Sequence, residues 1–208
     1  MITSAGKSGA FPDRAVFGFD VNASATYLAV SLHGGTAMTQ RTILIYPDRR
    51  LRTKAREVAE IGNATRGLAD DMLETMYAAP GIGLAGPQIG VMRRILVMDC
   101  SGKEEEPAPR VLINPELVWQ SETTDKREEG CLSMPNQFAD VVRPDSVRVG
   151  FVNLEGVAEE ETFNGIWARC VQHEIDHLDG RLFIDRISLV KRQLLRRRLA
   201  KEQRVGRD

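Results

Sequence analysis

Nothing in this chain restricts its fold and chemistry more than Val171-Gln172-His173-Glu174-Ile175-Asp176-His177-Leu178-Asp179-Gly180. His173 and His177 are four residues apart, so on a helix both imidazoles leave one face about one turn from each other. That spacing lets two nitrogens grip one metal ion. Glu174 points to a neighbouring part of the helix surface and is free to carry protons rather than ligate. The chain has three histidines, and two of them are here. The string by itself also fits a helix that carries two solvated or core histidines, so the metal reading depends on a third ligand.

The cysteines are the place to look. Cys100, Cys131 and Cys170 are odd in number and irregularly spaced, which argues against a disulfide framework and for a reducing compartment. Spacing alone does not choose among them. Cys170 shares the helical stripe of both histidines, and three ligands from one straight helix face rarely close a tetrahedron. Cys131, between Gly130 and Leu132 after a charged run, suits a thiolate held on a tight turn and is sterically the better choice. Two imidazoles and one thiolate leave a position open for water or substrate, and such a metal lowers the pKa of bound water from about 15.7 to roughly 7. With Glu174 taking that proton and delivering it to a leaving nitrogen, the reaction class is amide hydrolysis. The resulting oxyanion needs donors already in place, for which a backbone N–H beside Cys131 and the amide of Gln88 are candidates.

Gln88 is the only polar side chain in Gly81-Ile82-Gly83-Leu84-Ala85-Gly86-Pro87-Gln88-Ile89-Gly90. This run lacks the Lys-Ser/Thr ending of a P-loop and the preceding strand of a dinucleotide fingerprint. Its glycines permit close approach of another backbone, such as a peptide substrate.

Around these motifs, Arg41 to Tyr46 reads as a short strand and Asn63 or Thr65 as the cap of a helix to about Ala79. Leu68, Met72, Leu73, Met76 and Ala79 form its apolar stripe, the methionines as core filler. Val91 to Asp99 is a strand ending at a buried Cys100. Val111–Asn114 and Leu117–Trp119 are short strands broken at Pro115, and Ser121 to Glu129 is strongly polar with no element assigned. Ser146 to Leu154 pairs with Glu161–Phe163. Ser188 to Asp208 is an arginine-rich helix of net charge +6 with Leu189, Leu194, Leu195 and Leu199 as a thin apolar stripe, leaving about −7 for the remainder. The whole chain, at −1, has no global pull toward DNA or membrane, and no apolar run approaches the ~18 residues of a membrane span. Residues 1–37, rich in Gly, Ala, Ser and Thr, fit neither a secretory leader nor a transit peptide. They are expected to be a disordered extension, with His33 a bystander, before a catalytic domain over 38–187 and the basic helix over 188–208.

Three of these stretches, Gly81 to Gln88, Glu129-Gly130-Cys131-Leu132-Ser133 and Gln172 to Leu178, resemble the three signature motifs of peptide deformylase, in that family's order. The resemblance covers roughly residues 38 to 190. It implies an α+β fold with antiparallel sheets packed around a central metal-binding helix, followed by a C-terminal helix. It also implies that Cys131, His173 and His177 bind iron(II), with zinc, nickel or cobalt as substitutes. Glu174 would be the acid/base, and Gln88 with the Leu132 N–H the oxyanion hole. Substrate contacts would come from Gly81, Ile82, Gly83, Glu129, Gly130 and Cys170, the last in the pocket for a methionine side chain. The substrates would be N-formyl-methionyl nascent peptides in the cytoplasm, and the products formate and a free amino terminus. Two positions depart from the family pattern: Gly86 stands where most members have Ala, and Phe138 stands near where some carry an Arg. Arg143 matches a family arginine, so an Arg143–Asp176 pair is expected to orient the metal helix.

A metalloprotease of the His-Glu-x-x-His kind usually takes its third ligand after the motif, and no His or Cys follows His177 here. An RNA-binding module that has kept the fold without the chemistry would not need Cys131, His173, Glu174 and His177 all intact. The basic tail is compatible with an active deformylase that docks on ribosomal RNA.

Overall fold

A computed structural model describes residues 39–102 and 104–205. The expected extension over 1–37, His33 and the last residues of the tail lie outside the described residues. The elements are α1 (Asn63–Ala78), β1 (Gly83–Ala85), β2 (Ile95–Met98), β3 (Arg110–Gln120), β4 (Thr124–Cys131), β5 (Met134–Pro144), β6 (Ser146–Val152), β7 (Ala158–Asn164), α2 (Gly165–Leu178) and α3 (Leu189–Val205). They build an antiparallel five-stranded sheet in the order β1-β2-β3-β6-β7 and a separate β4–β5 ribbon. The fold is α+β, as the sequence leads one to expect.

β2 shows how the layers form. Its four residues are all buried, and they alternate between two cores. Ile95 and Val97 face Met72 and Met76 of α1, whereas Leu96 and Met98 face Val171, Ile175 and Leu178 of α2. A strand between two helices has no solvated face, so it reads as an unbroken apolar run. A third core joins Cys131, Met134 and Val141 of the ribbon to Leu182, Phe183 and Ile184, and to Leu195 and Leu199 of α3.

Several expectations need correction. Arg41–Tyr46 is not a strand, although its apolar pattern resembles one. Its amides go to turns instead: Leu44 donates to the Gln88 carbonyl at 2.7 Å and Tyr46 to that of Ser133 at 2.9 Å. The segment thus ties the Gln88 turn to the turn after Cys131. β3 does not break at Pro115 but shifts register between Ile113 and Glu116. The left-handed Asn114 (φ 51°) accommodates the bend, and its side-chain amide pairs with the backbone of Val58 at 2.8 and 3.0 Å. The polar stretch Ser121–Glu129 is largely β4, because a ribbon with one wet face tolerates charges that hide its period. α1 begins without a side-chain cap, its N-cap being Gly62. Of the four leucines expected to line α3, only Leu195 and Leu199 are buried; Leu189 and Leu194 are exposed. Cys100 is half-buried rather than buried.

Candidate metal centre and active site

α2 is buried from Ala168 through Leu178, which carries His173 and His177 into the centre of the molecule. Cys131 arrives from the end of β4, where the ladder shifts register after Glu129 and pairs Cys131 with Met134 across the Leu132-Ser133 turn. Ligand atoms of Cys131, His173 and His177 lie within 4.8 Å of one another, all three residues buried. The Cys131 sulfur stands 3.2 Å from His177 Nε2. A tetrahedral ion with Zn-like bonds of about 2.3 Å to sulfur and 2.0 Å to nitrogen keeps its ligands roughly 3.5 Å apart, so the donor set fits such an ion. Its soft thiolate and borderline imidazoles suit a first-row transition metal rather than magnesium or calcium.

The surroundings fix these ligands. Glu129, fully buried, accepts from Arg143 Nε at 2.6 Å and Arg169 Nη1 at 2.7 Å on one oxygen. Its other oxygen meets Arg143 Nη2 at 2.9 Å and His173 Nδ1 at 3.1 Å. With Nδ1 so engaged, His173 presents Nε2 to the cluster. Glu129 therefore has no side-chain oxygen left over for a substrate. Arg143 Nη1 donates to Asp176 at 2.8 Å, the pair anticipated from the sequence, and Arg186 donates twice to the same carboxylate at 2.6 Å. Sequence reasoning overlooked Arg169 and Arg186. Arg169 carried a usable signal, since it lies four residues before His173 and so on the same side of the helix.

The charges divide sharply. Burial opposes ionisation of Glu129, but hydrogen bonds from Arg143 and His173 overcome it and hold its carboxyl far below the usual carboxylate range. Burial also opposes an imidazolium at His173, yet Cys131 and Glu129 raise it well above an ordinary histidine. At His177, burial and the neighbouring His173 charge act together to keep the ring neutral. Two adjacent buried imidazoles cannot both be charged, and the cluster attracts positive charge to the place where a cation would sit. Burial pushes the Glu174 carboxyl up to about 7, against the lowering influence of His173 and Arg143. A cation in the cluster would draw it down toward the form that accepts a proton.

Glu174 Oε2 and His177 Nδ1 are buried without a hydrogen-bond partner among the described residues. The Gln88 side chain is held by the Ala85 N–H on its oxygen at 2.7 Å, which turns its NH2 group toward the Cys131 sulfur at 3.7 Å and Ser133 Oγ at 3.4 Å. Cys170 donates to the Ile82 carbonyl at 3.3 Å, so it stands behind the glycine loop and apart from the ligand cluster.

Two glycines of that loop have no room for a side chain. A Cβ on Gly83 would fall 2.5 Å from Glu174 Oε1 and 2.7 Å from the Cys170 sulfur. Gly83→Ala should therefore displace the Glu174 carboxylate and lower turnover by about 10²-fold, with a stability loss of about 1–3 kcal/mol from overpacking. Turnover and thermal melts of the pair check this; unchanged turnover contradicts it. A Cβ on Gly86 would meet the Val91 and Arg93 carbonyl oxygens at 2.7 and 2.8 Å, so in this chain the position is closed to the more usual alanine.

Residues 40–193 match the polypeptide deformylase family model. The peptide deformylase of Afipia carboxidovorans is 49% identical over 169 residues, covering 81% of this chain and 99% of that relative. That of Methylocella silvestris is 48% identical and covers 81% of this chain and 87% of the relative. The crystal structure of peptide deformylase from Ehrlichia chaffeensis superposes with a TM-score of 0.78 at 37% identity, over 82% of this chain and all of the other. A structure of the Ehrlichia chaffeensis enzyme in complex with actinonin gives 0.75 at 40% identity, over 80% and 99%. A pattern of three motifs, a buried Cys-His-His cluster and these likenesses agree: the chain belongs to the polypeptide deformylases, metal-dependent hydrolases that remove the N-formyl group from nascent polypeptides.

Proposed function

We propose that Cys131, His173 and His177 hold one iron(II) ion, that Glu174 carries the proton, and that the Gln88 amide with the Leu132 N–H receives the oxyanion. The observation that carries this reading is the buried Cys131-His173-His177 cluster beside a Glu174 oxygen that has no hydrogen-bond partner among the described residues. Zinc, nickel and cobalt suit the same donors, so metal supply in the cell selects among them. When bound, the ion supplies Lewis acidity and makes a water acidic near neutral pH.

The protein groups do the rest. Glu174 accepts a proton from the attacking water and returns it to the departing amine nitrogen, which needs a carboxyl that changes hands near the working pH. Gln88 is pre-aimed by Ala85, so its NH2 donates to developing negative charge without reorganising. Glu129 fixes the ring of His173, and Arg143, Arg169 and Arg186 fix Glu129 and Asp176 in turn. An N-formyl-methionyl peptide lies along Gly81, Ile82, Gly83 and Gly130, with the methionine side chain toward Cys170. Metal analysis tests the ligand set: about one ion per chain is expected in the parent, and little in Cys131→Ser. Full metal content in that variant would remove Cys131 from the set.

Free thiols at Cys100, Cys131 and Cys170 fit the reducing cytoplasm. Among the described residues no helix is long and apolar enough to cross a membrane. On α3, Arg196, Arg197, Arg198, Lys201 and Arg204 are exposed, a basic face that suits ribosomal RNA. Because Leu195 and Leu199 are part of the core, point changes are a better test than deletion. Arg197→Ala with Arg198→Ala and Lys201→Ala should weaken ribosome co-sedimentation, and each lost phosphate contact lowers the salt slope by about 1. Co-sedimentation with an unchanged slope would contradict an RNA contact through this face.

A further inference from the structure

Cys100 and Cys170 have no part in the proton and metal chemistry described above, yet they share one acceptor. The Cys170 thiol points at the Ile82 carbonyl at 3.3 Å and the Cys100 thiol at the same oxygen at 4.0 Å, beside the Asp99 N–H at 2.9 Å. The two sulfurs therefore lie around one carbonyl oxygen, behind the loop that carries Gly81 to Gly83. They differ in access. Cys170 is completely buried, whereas Cys100, just past the end of β2, is half-buried and, like Ile82 and Trp167, packs against the edge of the core that contains Cys170. The neighbouring Cys100 thiol, ahead of burial, is the leading influence that raises the Cys170 thiol.

We infer that Cys100 and Cys170 are an oxidisable dithiol, which hydrogen peroxide converts to a disulfide that reshapes the methionine pocket from behind. The half-exposed Cys100 sulfur attacks the peroxide, the O–O bond breaks, and Cys100 becomes a sulfenic acid as one water leaves. The Cys170 sulfur then attacks the sulfenic sulfur; the S–S bond forms, the S–O bond breaks and a second water leaves. The two thiols together lose two electrons and the peroxide gains them. A bond of about 2.05 Å between the sulfurs requires both to leave the Ile82 carbonyl as it now holds them. The consequence falls on Ile82 and Gly83. Cys131 lies in the separate ligand cluster and is not consumed.

The consequence for substrate rests on the pocket assigned under the proposed function; the disulfide itself does not. The test uses zinc-loaded enzyme, since zinc has no redox chemistry of its own, titrated with hydrogen peroxide. Intact mass, non-reducing peptide mapping, metal content, and kcat and KM on a formyl-methionyl peptide are followed. The expected result is a loss of about 2 Da, a linked Cys100–Cys170 peptide and full zinc. KM should rise by about ten-fold, as for a pocket altered by one methylene, with kcat less affected and dithiothreitol restoring both. Cys100→Ser should form no link and keep the reduced KM under peroxide. Cys100 carried to sulfinic acid with a free Cys170 thiol, a link through Cys131, or a Cys100–Cys170 link with unchanged KM would each overturn the inference. Reduced enzyme that releases no formate would instead defeat the deformylase reading, and the peptide map would still decide whether the dithiol closes.

Discussion

Glu174→Gln is expected to yield a folded, metal-binding protein whose formate release falls by about 10³-fold, the range lost with a general acid/base. The replacement keeps the size of the side chain in a site where only 2% of it is exposed, so packing should be retained. Metal content should also be retained, because Glu174 is not among the residues whose ligand atoms cluster. Stability should move in the opposite direction from activity. In the metal-free protein burial raises this carboxyl to about 7, above its unfolded value. A group raised in this way makes the folded state lose stability as pH rises from its unfolded value toward 7, since the fold must release the proton at a cost. Glutamine has no proton to release. Metal-free Glu174→Gln should thus melt at or above the parent at pH 8, with the difference fading below about pH 4. A variant that melts much lower at pH 8 would mean that Glu174 holds the fold together instead.

Glu129→Gln should do the reverse and cost stability first. Glu129 is the counter-charge of Arg143 and Arg169, which are 0% and 4% exposed along their side chains. Removing one partner of a buried ion pair leaves the other uncompensated, for about 3–5 kcal/mol. In a chain of this size that lowers the melting temperature by about 10 °C. The sign with pH follows from the carboxyl being held below its ordinary value. Its contribution is complete above the unfolded value of about 4.3 and is lost as pH falls through and below it. The parent should therefore destabilise in acid more steeply than Glu129→Gln, the two curves converging below about pH 4. Metal affinity should also fall by about 10–100-fold, because the carboxylate that holds His173 Nδ1 is lost. Equal melting temperatures at pH 7 would show that the arginines find other partners.

What the sequence made legible depended on how local the signal was. The helix of His173 and His177 could be read because a four-residue spacing puts both rings on one helix face, whereas Cys131 was only sterically the better cysteine until the resemblance to the family chose it. The Arg143–Asp176 contact came from resemblance to the family, not from any pattern within the chain. β4 could not be read, because Thr124 to Glu128 include no apolar residue and the first fully buried side chain, Glu129, is an ion. Arg41–Tyr46 misled for a related reason. Its side chains carry a strand pattern, but a strand needs one continuous partner, and its amides go to separate acceptors: Arg41 to the Thr75 hydroxyl, Leu44 to the Gln88 carbonyl and Tyr46 to that of Ser133. The ionic network around Glu129 spans β4, β5 and α2, so no window of sequence contains it. Arg186, ten residues beyond Asp176, looks like any surface arginine until Asp176 is seen to lie within its reach.

The most direct test of the account is formate release from a formyl-methionyl peptide by full-length protein, purified without oxygen and loaded with iron(II). Turnover should follow iron content, disappear on chelation, return on reloading, and be almost absent in Glu174→Gln at equal metal content. Iron-loaded, folded protein that leaves the formyl group in place would contradict it.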